Sequence, residues 1–267
     1  MSWESFAKHR DCITSKSGGW TIGGETTMHG YNIQQQLGVH ASWMQTMLLS
    51  VTGRLPPISH AYFIEKVFIL TGYPDARLWC NRVAALAGSA KCTATSSYCA
   101  GVTSAEAMLY GRQADYKAAS LLLKAKQICD RGGEEALSHF VIGQLKEKRA
   151  VYGFGRPLLK ADERITPLSN EATRLGIDKG DHLTVALKIE QYLKKYKMIM
   201  NYGGYVMAHL LDLNYSPKEI YRLLSLAFYT GIVPCYIEAF ENEPSTFLPI
   251  ACEDILYEGR EERDIPV

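Results

Sequence analysis

Apolar side chains recur at three- and four-residue spacing along most of this chain, the period of α-helices packed by one face. Ala41 to Thr52 and Ser59 to Thr71 both show it. Between them, Gly53-Arg54-Leu55-Pro56-Pro57 is a helix stop followed by two residues that cannot extend one. Ser104 to Cys129 predicts a long helix ended by Asp130-Arg131-Gly132-Gly133, and Glu134 to Arg149 predicts another, with Leu137, Phe140, Val141 and Leu145 on one face. Ser216-Pro217-Lys218-Glu219 is the clearest start signal, a Ser cap, Pro at the first helical position and Glu closing a capping box. Asp181 takes the cap position before Leu183 to Tyr196. Convincing alternation at period two is nearly absent, so the expected class is all-α.

Two stretches break the pattern. Val151 to Pro167 holds Gly153, Gly155, Pro157 and Pro167 and reads as a long loop, the kind that often carries function. Pro244 to Val267 is irregular and mixes acidic with basic residues, as an arm reaching over a partner does.

Composition narrows the functional classes. The chain has 267 residues, 47% of them hydrophobic, with 29 Lys+Arg against 28 Asp+Glu. A net charge of +1 supplies no electrostatic reason to expect nucleic acid or an anionic membrane as partner. No apolar run reaches the roughly 18–20 residues that cross a bilayer; Leu223 to Ile237 is interrupted by Thr230, Gly231 and Pro234. Met1 to Lys8 lacks the apolar core of a signal peptide. The 7 cysteines are odd in number and form no CxxC pair, which points to reduced thiols and a cytoplasmic location rather than disulfides. The histidines show neither HxxxH nor HExxH, so no metal is expected.

Three separated segments, taken in order, carry a resemblance. The first is His29-Gly30-Tyr31-Asn32 with Trp43 to Leu49 and Thr52-Gly53-Arg54-Leu55-Pro56. The second is Tyr152-Gly153-Phe154-Gly155-Arg156 through Lys160-Ala161-Asp162-Glu163-Arg164. The third is Tyr257-Glu258-Gly259-Arg260 through Arg263-Asp264-Ile265-Pro266. Together they resemble the citrate synthase family, which includes citryl-CoA lyases and the lyase module of ATP citrate lyase, over about residues 25 to 267. The resemblance implies a large helical domain built from both chain ends (1–110 and 213–267) with a smaller helical domain (111–212) inserted. It also implies a homodimer, an active site in the cleft between domains, and coenzyme A or an acyl-CoA as co-substrate beside a small carbonyl or carboxylate compound. Gly153, Phe154, Gly155, Lys160 and Arg164 fall on the family's loop around coenzyme A. Glycine N–H groups and cations suit its phosphates.

The family's catalytic positions are replaced. Its chemistry removes an acyl α-proton with a carboxylate and steadies developing oxyanions with two histidines. The His-Gly-Gly segment falls on Tyr110-Gly111-Arg112, and Arg156 stands for the His of Gly-Phe-Gly-His-Arg. The carboxylate position falls on Met200 or, with a one-residue slip, Asn201. The upstream histidine segment falls on Gly88 to Lys91, and the substrate-binding helix on Thr230 to Val233 and Glu238. Losing the base, the second His and the Arg together argues against ordinary citrate formation.

Several readings stay open at this point. Tyr110 is a core aromatic with a paired hydroxyl or a hydrogen-bond donor to substrate; Arg156 is a donor to a thioester carbonyl or an ion-paired residue. Asp115 is structural or a new acid–base group. Lys91 and Glu238 are surface charges or, if they face the cleft, a new acid–base pair, with Glu238 then catalytic and Lys91 on the substrate. Arg260 or Arg263 is a solvated charge or the carboxylate-binding Arg given across a dimer. His29 reads as a turn residue and His209 as a hydrogen-bonded core histidine. As a whole the chain is a repurposed acyltransferase or C–C lyase, or a non-catalytic relative that binds coenzyme A or a partner.

Overall fold

The computed structural model describes residues 3–8, 10, 13–156, 161–177, 179–244 and 251–265. The helices of eight or more residues are α1 (Trp43–Thr52), α2 (Ile58–Thr71), α3 (Trp79–Ser89), α4 (Ala94–Ser104), α5 (Arg112–Lys146), α6 (Ile165–Arg174), α7 (Asp181–Leu193), α8 (Tyr202–Asp212), α9 (Pro217–Leu224) and α10 (Tyr229–Glu241). Three short strands, β1 (Gly18–Trp20), β2 (Thr26–Met28) and β3 (Tyr31–Asn32), pair antiparallel in that order, with Gly18 opposite Met28 and Met28 opposite Tyr31. At 3, 3 and 2 residues they are too short for alternation to register in the sequence.

The helix boundaries follow the cap chemistry. α1 opens on a capping box between Ser42 and Gln45 and stops at Gly53 in the left-handed conformation, φ 72°. α9 opens on the expected Ser216–Glu219 box. The long helix expected from Ser104 instead begins at Arg112. Residues 94–104 form their own helix, and the turn between closes through Arg112 N–H to the Ala105 carbonyl at 3.1 Å. Beyond it, α5 kinks at Gly133, φ 68°, where the sequence placed a stop. Asp181 is not the cap of α7. Asp212, at the far end of α8, accepts from His182 N–H (2.8 Å) and Leu183 N–H (3.1 Å), while Asp181 pairs with Lys126 at 3.3 Å. A cap supplied from another helix leaves no local sequence signature.

The chain divides into two compact units. The first comprises residues 1–73 and 105–230, so the expected insertion 111–212 lies wholly within it. In this unit α5 packs against α7, α8 and α9, α7 against α8, α1 against α2 and α9, and α2 against α6. Leu48, Phe63, Ile64, Leu122, Leu137, Ile189, Met207, Leu210 and Ile220 are fully buried there. Each such side chain contributes about 1.5–3 kcal/mol by leaving water. α8 is the central element: from Gly204 to Leu211 every residue is buried, so it is apolar on all sides rather than amphipathic.

The second unit comprises residues 74–104 and 231–267. α3 and α4 pack together, Trp79 Nε1 donates to the Ser104 carbonyl (2.7 Å), and Tyr236 Oη donates to the Cys92 carbonyl (3.2 Å). Residues 251 and 253–265 are exposed, and the stretch 251–265 is irregular apart from a 3-10 turn, Cys252–Asp254. One expectation is corrected: Pro217–Glu241, in which α9 and α10 are parted only by the turn 225–228, holds an 18-residue window of mean hydropathy 1.5, long and apolar enough by composition to cross a membrane. Thr230, Gly231 and Pro234 do not interrupt it as the sequence suggested. Ile220, Leu223, Leu224 and Ala227 of this stretch belong to the core of the first unit, and core helices of soluble proteins pass the same test.

Candidate functional site

The glycine loop is built onto the start of α8. Gly153 and Gly155 both have positive φ, 89° and 88°, a conformation that a side chain disfavours. The loop folds back so that Gly155 N–H donates to the Ile199 carbonyl (2.6 Å) and Asn201 N–H donates to the Gly153 carbonyl (3.0 Å). Phe154 bridges Met200 between them, and both side chains are buried. The approach also needs Gly204, because a Cβ there would lie 2.2 Å from the Gly153 carbonyl oxygen. Met200, at the family's carboxylate position, is therefore a core residue. Asn201 caps α8: its Oδ1 accepts from Gly204 N–H (3.0 Å) and its Nδ2 donates to the Gly155 carbonyl (3.0 Å).

Past the loop, Asp162 is the hub of an ion cluster. Its side chain is wholly buried and accepts two hydrogen bonds from Arg164, both 2.9 Å, and one from Tyr202 N–H, 2.9 Å. Arg156 lies 3.2 Å from Asp162 and also pairs with Glu163. The Arg164 guanidinium rests over the Tyr202 ring, 4.5 Å from its centroid. Burial opposes ionisation of Asp162, but the hydrogen bonds from Arg164 and Tyr202 outweigh it and hold the carboxyl below its ordinary value of 3.8.

A second ion pair faces the same helix start. Arg112 Nη2 meets Asp115 Oδ2 at 2.8 Å within the first turn of α5, and both side chains are largely buried. Arg112 also donates to the Leu224 carbonyl (3.4 Å) and lies over the Phe228 ring (4.4 Å). Its buried Nε has no hydrogen-bond partner among the described residues. Burial raises the Asp115 carboxyl above 3.8, against the pull of Arg112 and Arg164. Asp115 Oδ1 and Asn201 Oδ1 both point at Gly203, within 3.0 and 3.3 Å of where its Cβ would be.

The structure thus brings together Gly153, Phe154, Gly155, Arg156, Arg164, Asp115 and Asn201. Lys160 lies outside the described residues. Tyr110 is no core aromatic: it is 69% exposed in the turn before α5, and its hydroxyl makes no hydrogen bond among the described residues. Arg156 is ion-paired. Lys91, Glu238, Arg260 and Arg263 belong to the second unit. Lys91 Nζ donates to the Phe240 and Asn242 carbonyls and so caps α10, and no ion pair joins it to Glu238 among the described residues. Glu238, Arg260 and Arg263 are exposed. Sequence reasoning missed Arg112, Tyr202 and the Gly203-Gly204 pair, and it placed Asp162 in the loop without its part as the centre of the ion cluster. The one available signal was that dipeptide directly after Asn201, since two glycines opening a buried helix mark a close approach.

His209 differs from expectation. It is buried in α8 between Phe63 (5.2 Å) and Tyr205 (4.8 Å), and neither ring nitrogen has a hydrogen-bond partner among the described residues. Burial lowers its pKa from 6.5 to about 4, with Asp212 opposing. A folded pKa below the unfolded one means that the unfolded chain binds the proton first. Stability is then lost as pH falls from about 6.5 to about 4, on the order of 3 kcal/mol from this residue. In His209→Phe, urea unfolding at pH 7 and pH 4.5 is expected to differ less than in the wild type. An equal difference in both proteins would refute the assignment.

No family model matches the chain, and no curated protein matches it in sequence. Solved structures do match in fold. Citryl-CoA lyase from Hydrogenobacter thermophilus superposes with a TM-score of 0.81 at 20% identity, over 95% of this chain and 97% of that one. ATP citrate lyase from Methanothrix soehngenii, in complex with citrate and coenzyme A, gives 0.78 at 19% identity. That match covers 98% of this chain, which spans only 45% of the larger one. Citrate synthase from Thermoplasma acidophilum, bound to carboxymethyl coenzyme A and oxaloacetate, gives 0.65 at 19% identity, over 85% and 59%. The helical architecture expected from the periodicity and the fold implied by the three motifs meet in one result: this chain has the citrate synthase-like fold of citryl-CoA lyase and citrate synthase.

Proposed function

We propose that the chain is a divergent acyl-CoA enzyme, an acyltransferase or C–C lyase that acts on a small carbonyl or carboxylate compound and does not make citrate by the ordinary route. The observation that carries this reading is the meeting of the glycine loop 153–155 with Asp115 and Asn201 at the start of α8. A nucleotide-binding type of loop and a carboxylate with a raised pKa are thereby placed at one helix end. On this reading the loop and Arg164, with Lys160, hold coenzyme A, Asp115 takes the proton, and Tyr110 and Arg156 donate to the carbonyl oxygen. Lys91, Glu238, Arg260 and Arg263 serve the second substrate. The protein works in the cytoplasm as a homodimer, with residues 111–212 as the smaller domain.

A second reading, a non-catalytic protein that binds coenzyme A or a partner, is favoured by the buried Met200 and by the engagement of Arg156 and Arg164 with Asp162 and Glu163. Calorimetric titration with coenzyme A and acetyl-CoA tests what both share. Micromolar binding is expected, and Arg164→Ala is expected to weaken it by about 1–3 kcal/mol if the guanidinium makes a charge-assisted phosphate contact. Absence of binding up to millimolar ligand removes coenzyme A from the reading. Acetyl-CoA with oxaloacetate is expected to yield no citrate. Turnover of about 1–1000 per second would show that the ordinary chemistry persists.

A further inference from the structure

We propose that the groove between α5 and the start of α9 is a second binding site, separate from the glycine loop, and that it takes a purine nucleoside monophosphate. Tyr116, Ser120, Leu123, Lys124 and Gln127 recur at three- and four-residue spacing, which puts them on one face of α5. α9 packs on α5, and Ser216, Pro217 and Lys218 at its start complete a cleft of about 470 Å³ with those five residues. Small-molecule pockets span about 300–1,000 Å³, so the space suits a ligand of this size. None of these residues belongs to the glycine loop or to the ion cluster around Asp162.

Both walls are braced from behind. The Tyr116 ring meets the Tyr221 ring edge to face at 5.7 Å, and Tyr221 Oη donates to Glu106 at 2.7 Å. Tyr116 nevertheless keeps 43% of its surface open. On the other side, Glu219 accepts from the Ser216 N–H at 2.8 Å and pairs with Arg54 at 3.1 Å, which pins the start of α9 to the turn after α1. The Glu219 charge is thereby matched, and no Asp or Glu lines the cleft among the described residues. Lys124 and Lys218 do line it. Lys124 Nζ lies over the Phe140 ring at 5.5 Å, and neither lysine has an ion pair among the described residues.

The ligand chemistry follows from this lining. Two cations without a counter-charge attract an anion, and one phosphate dianion answers both. Tyr116, Leu123 and Pro217 supply apolar surface on which a flat ring stacks. The Gln127 amide carries a donor and an acceptor side by side, the pattern that matches a purine edge. Inorganic phosphate would leave the apolar surface unused, and a neutral purine nucleoside would leave the lysines unanswered.

Calorimetric titration of the full-length protein with AMP, adenosine and inorganic phosphate tests this. AMP is expected to bind saturably and at least about 10-fold more tightly than adenosine or phosphate. Added salt should weaken AMP and leave adenosine nearly unchanged. The double variant Lys124→Gln, Lys218→Gln should weaken AMP at least about 10-fold without affecting adenosine. Tyr116→Ala should weaken AMP and adenosine but not phosphate. All three side chains are exposed, and the Tm of each variant verifies that it is folded. No saturable AMP binding up to millimolar concentration, adenosine or phosphate binding as tightly as AMP, or full AMP affinity in the double variant overturns the proposal. Coenzyme A also carries an adenine nucleotide, so the AMP titration is repeated with coenzyme A at saturation. Retained AMP binding is expected, whereas displacement puts AMP in the coenzyme A site and overturns a second one. Failure of coenzyme A to bind removes the acyl-CoA reading alone, because the AMP titrations and their lysine variants stand without it.

Discussion

Replacing Asp162 by Ala is expected to cost about 3 kcal/mol of folding stability, measured as a lowered urea midpoint with an unchanged slope. Breaking a buried ion pair costs about 3–5 kcal/mol because the partner charge is left behind. Here Arg156 and Arg164 keep 18% and 23% of their side-chain surface, so water can partly replace the lost carboxylate, and the low end applies. The Tyr202 N–H at the start of α8 also loses its acceptor. Asp162→Asn retains one acceptor oxygen and should fall between the two. The pH dependence has a definite sign: the carboxyl sits lower in the folded state than its ordinary 3.8, so its contribution is complete above that value and is lost as pH falls through the folded pKa. A loss under about 1 kcal/mol in Asp162→Ala would place this cluster among surface pairs of little worth.

Adjacent glycines should answer differently to the same substitution. In Gly204→Ala the new methyl would stand 2.2 Å from the Gly153 carbonyl oxygen and 2.9 Å from the Gly153 carbonyl carbon, all backbone. Neither atom belongs to a side chain that can turn aside, so the loop must lift from α8, breaking the Asn201 N–H bond to Gly153. Overpacking of this kind costs about 1–3 kcal/mol, occasionally more, and the upper end is expected because no rotamer relieves it. Gly203→Ala meets only the two side-chain oxygens, at 3.0 and 3.3 Å, and gains up to about 1 kcal/mol of helix propensity. Thermal unfolding of the two variants side by side checks this. Equal Tm values would mean that the loop does not rest on the helix.

The two ion pairs also show why the site was only half legible. Asp115 and Asn201 entered as candidates because a motif aligned near them, but nothing local joins residue 115 to residue 201. Their oxygens meet because α5 packs on α8. Arg112 drew no attention, since a cation at a helix start has no preferred role until a carbonyl, a ring and a carboxylate surround it. Tyr110 fails in the opposite sense: its aligned position suggested a partnered group, and the turn before α5 leaves it exposed.

Periodicity, cap boxes and the Gly-Pro stops were enough for the helical class and most helix cores, because these signals act within one or two turns of the chain. The order of three motifs was enough for the fold, later matched by citryl-CoA lyase and citrate synthase. Packing alone decided that Asp212 caps α7, that His209 is buried without a hydrogen-bond partner among the described residues, and that Gly203 and Gly204 sit against different neighbours. Each of these rests on groups distant in sequence, and the energies involved exist only once those groups share one desolvated place.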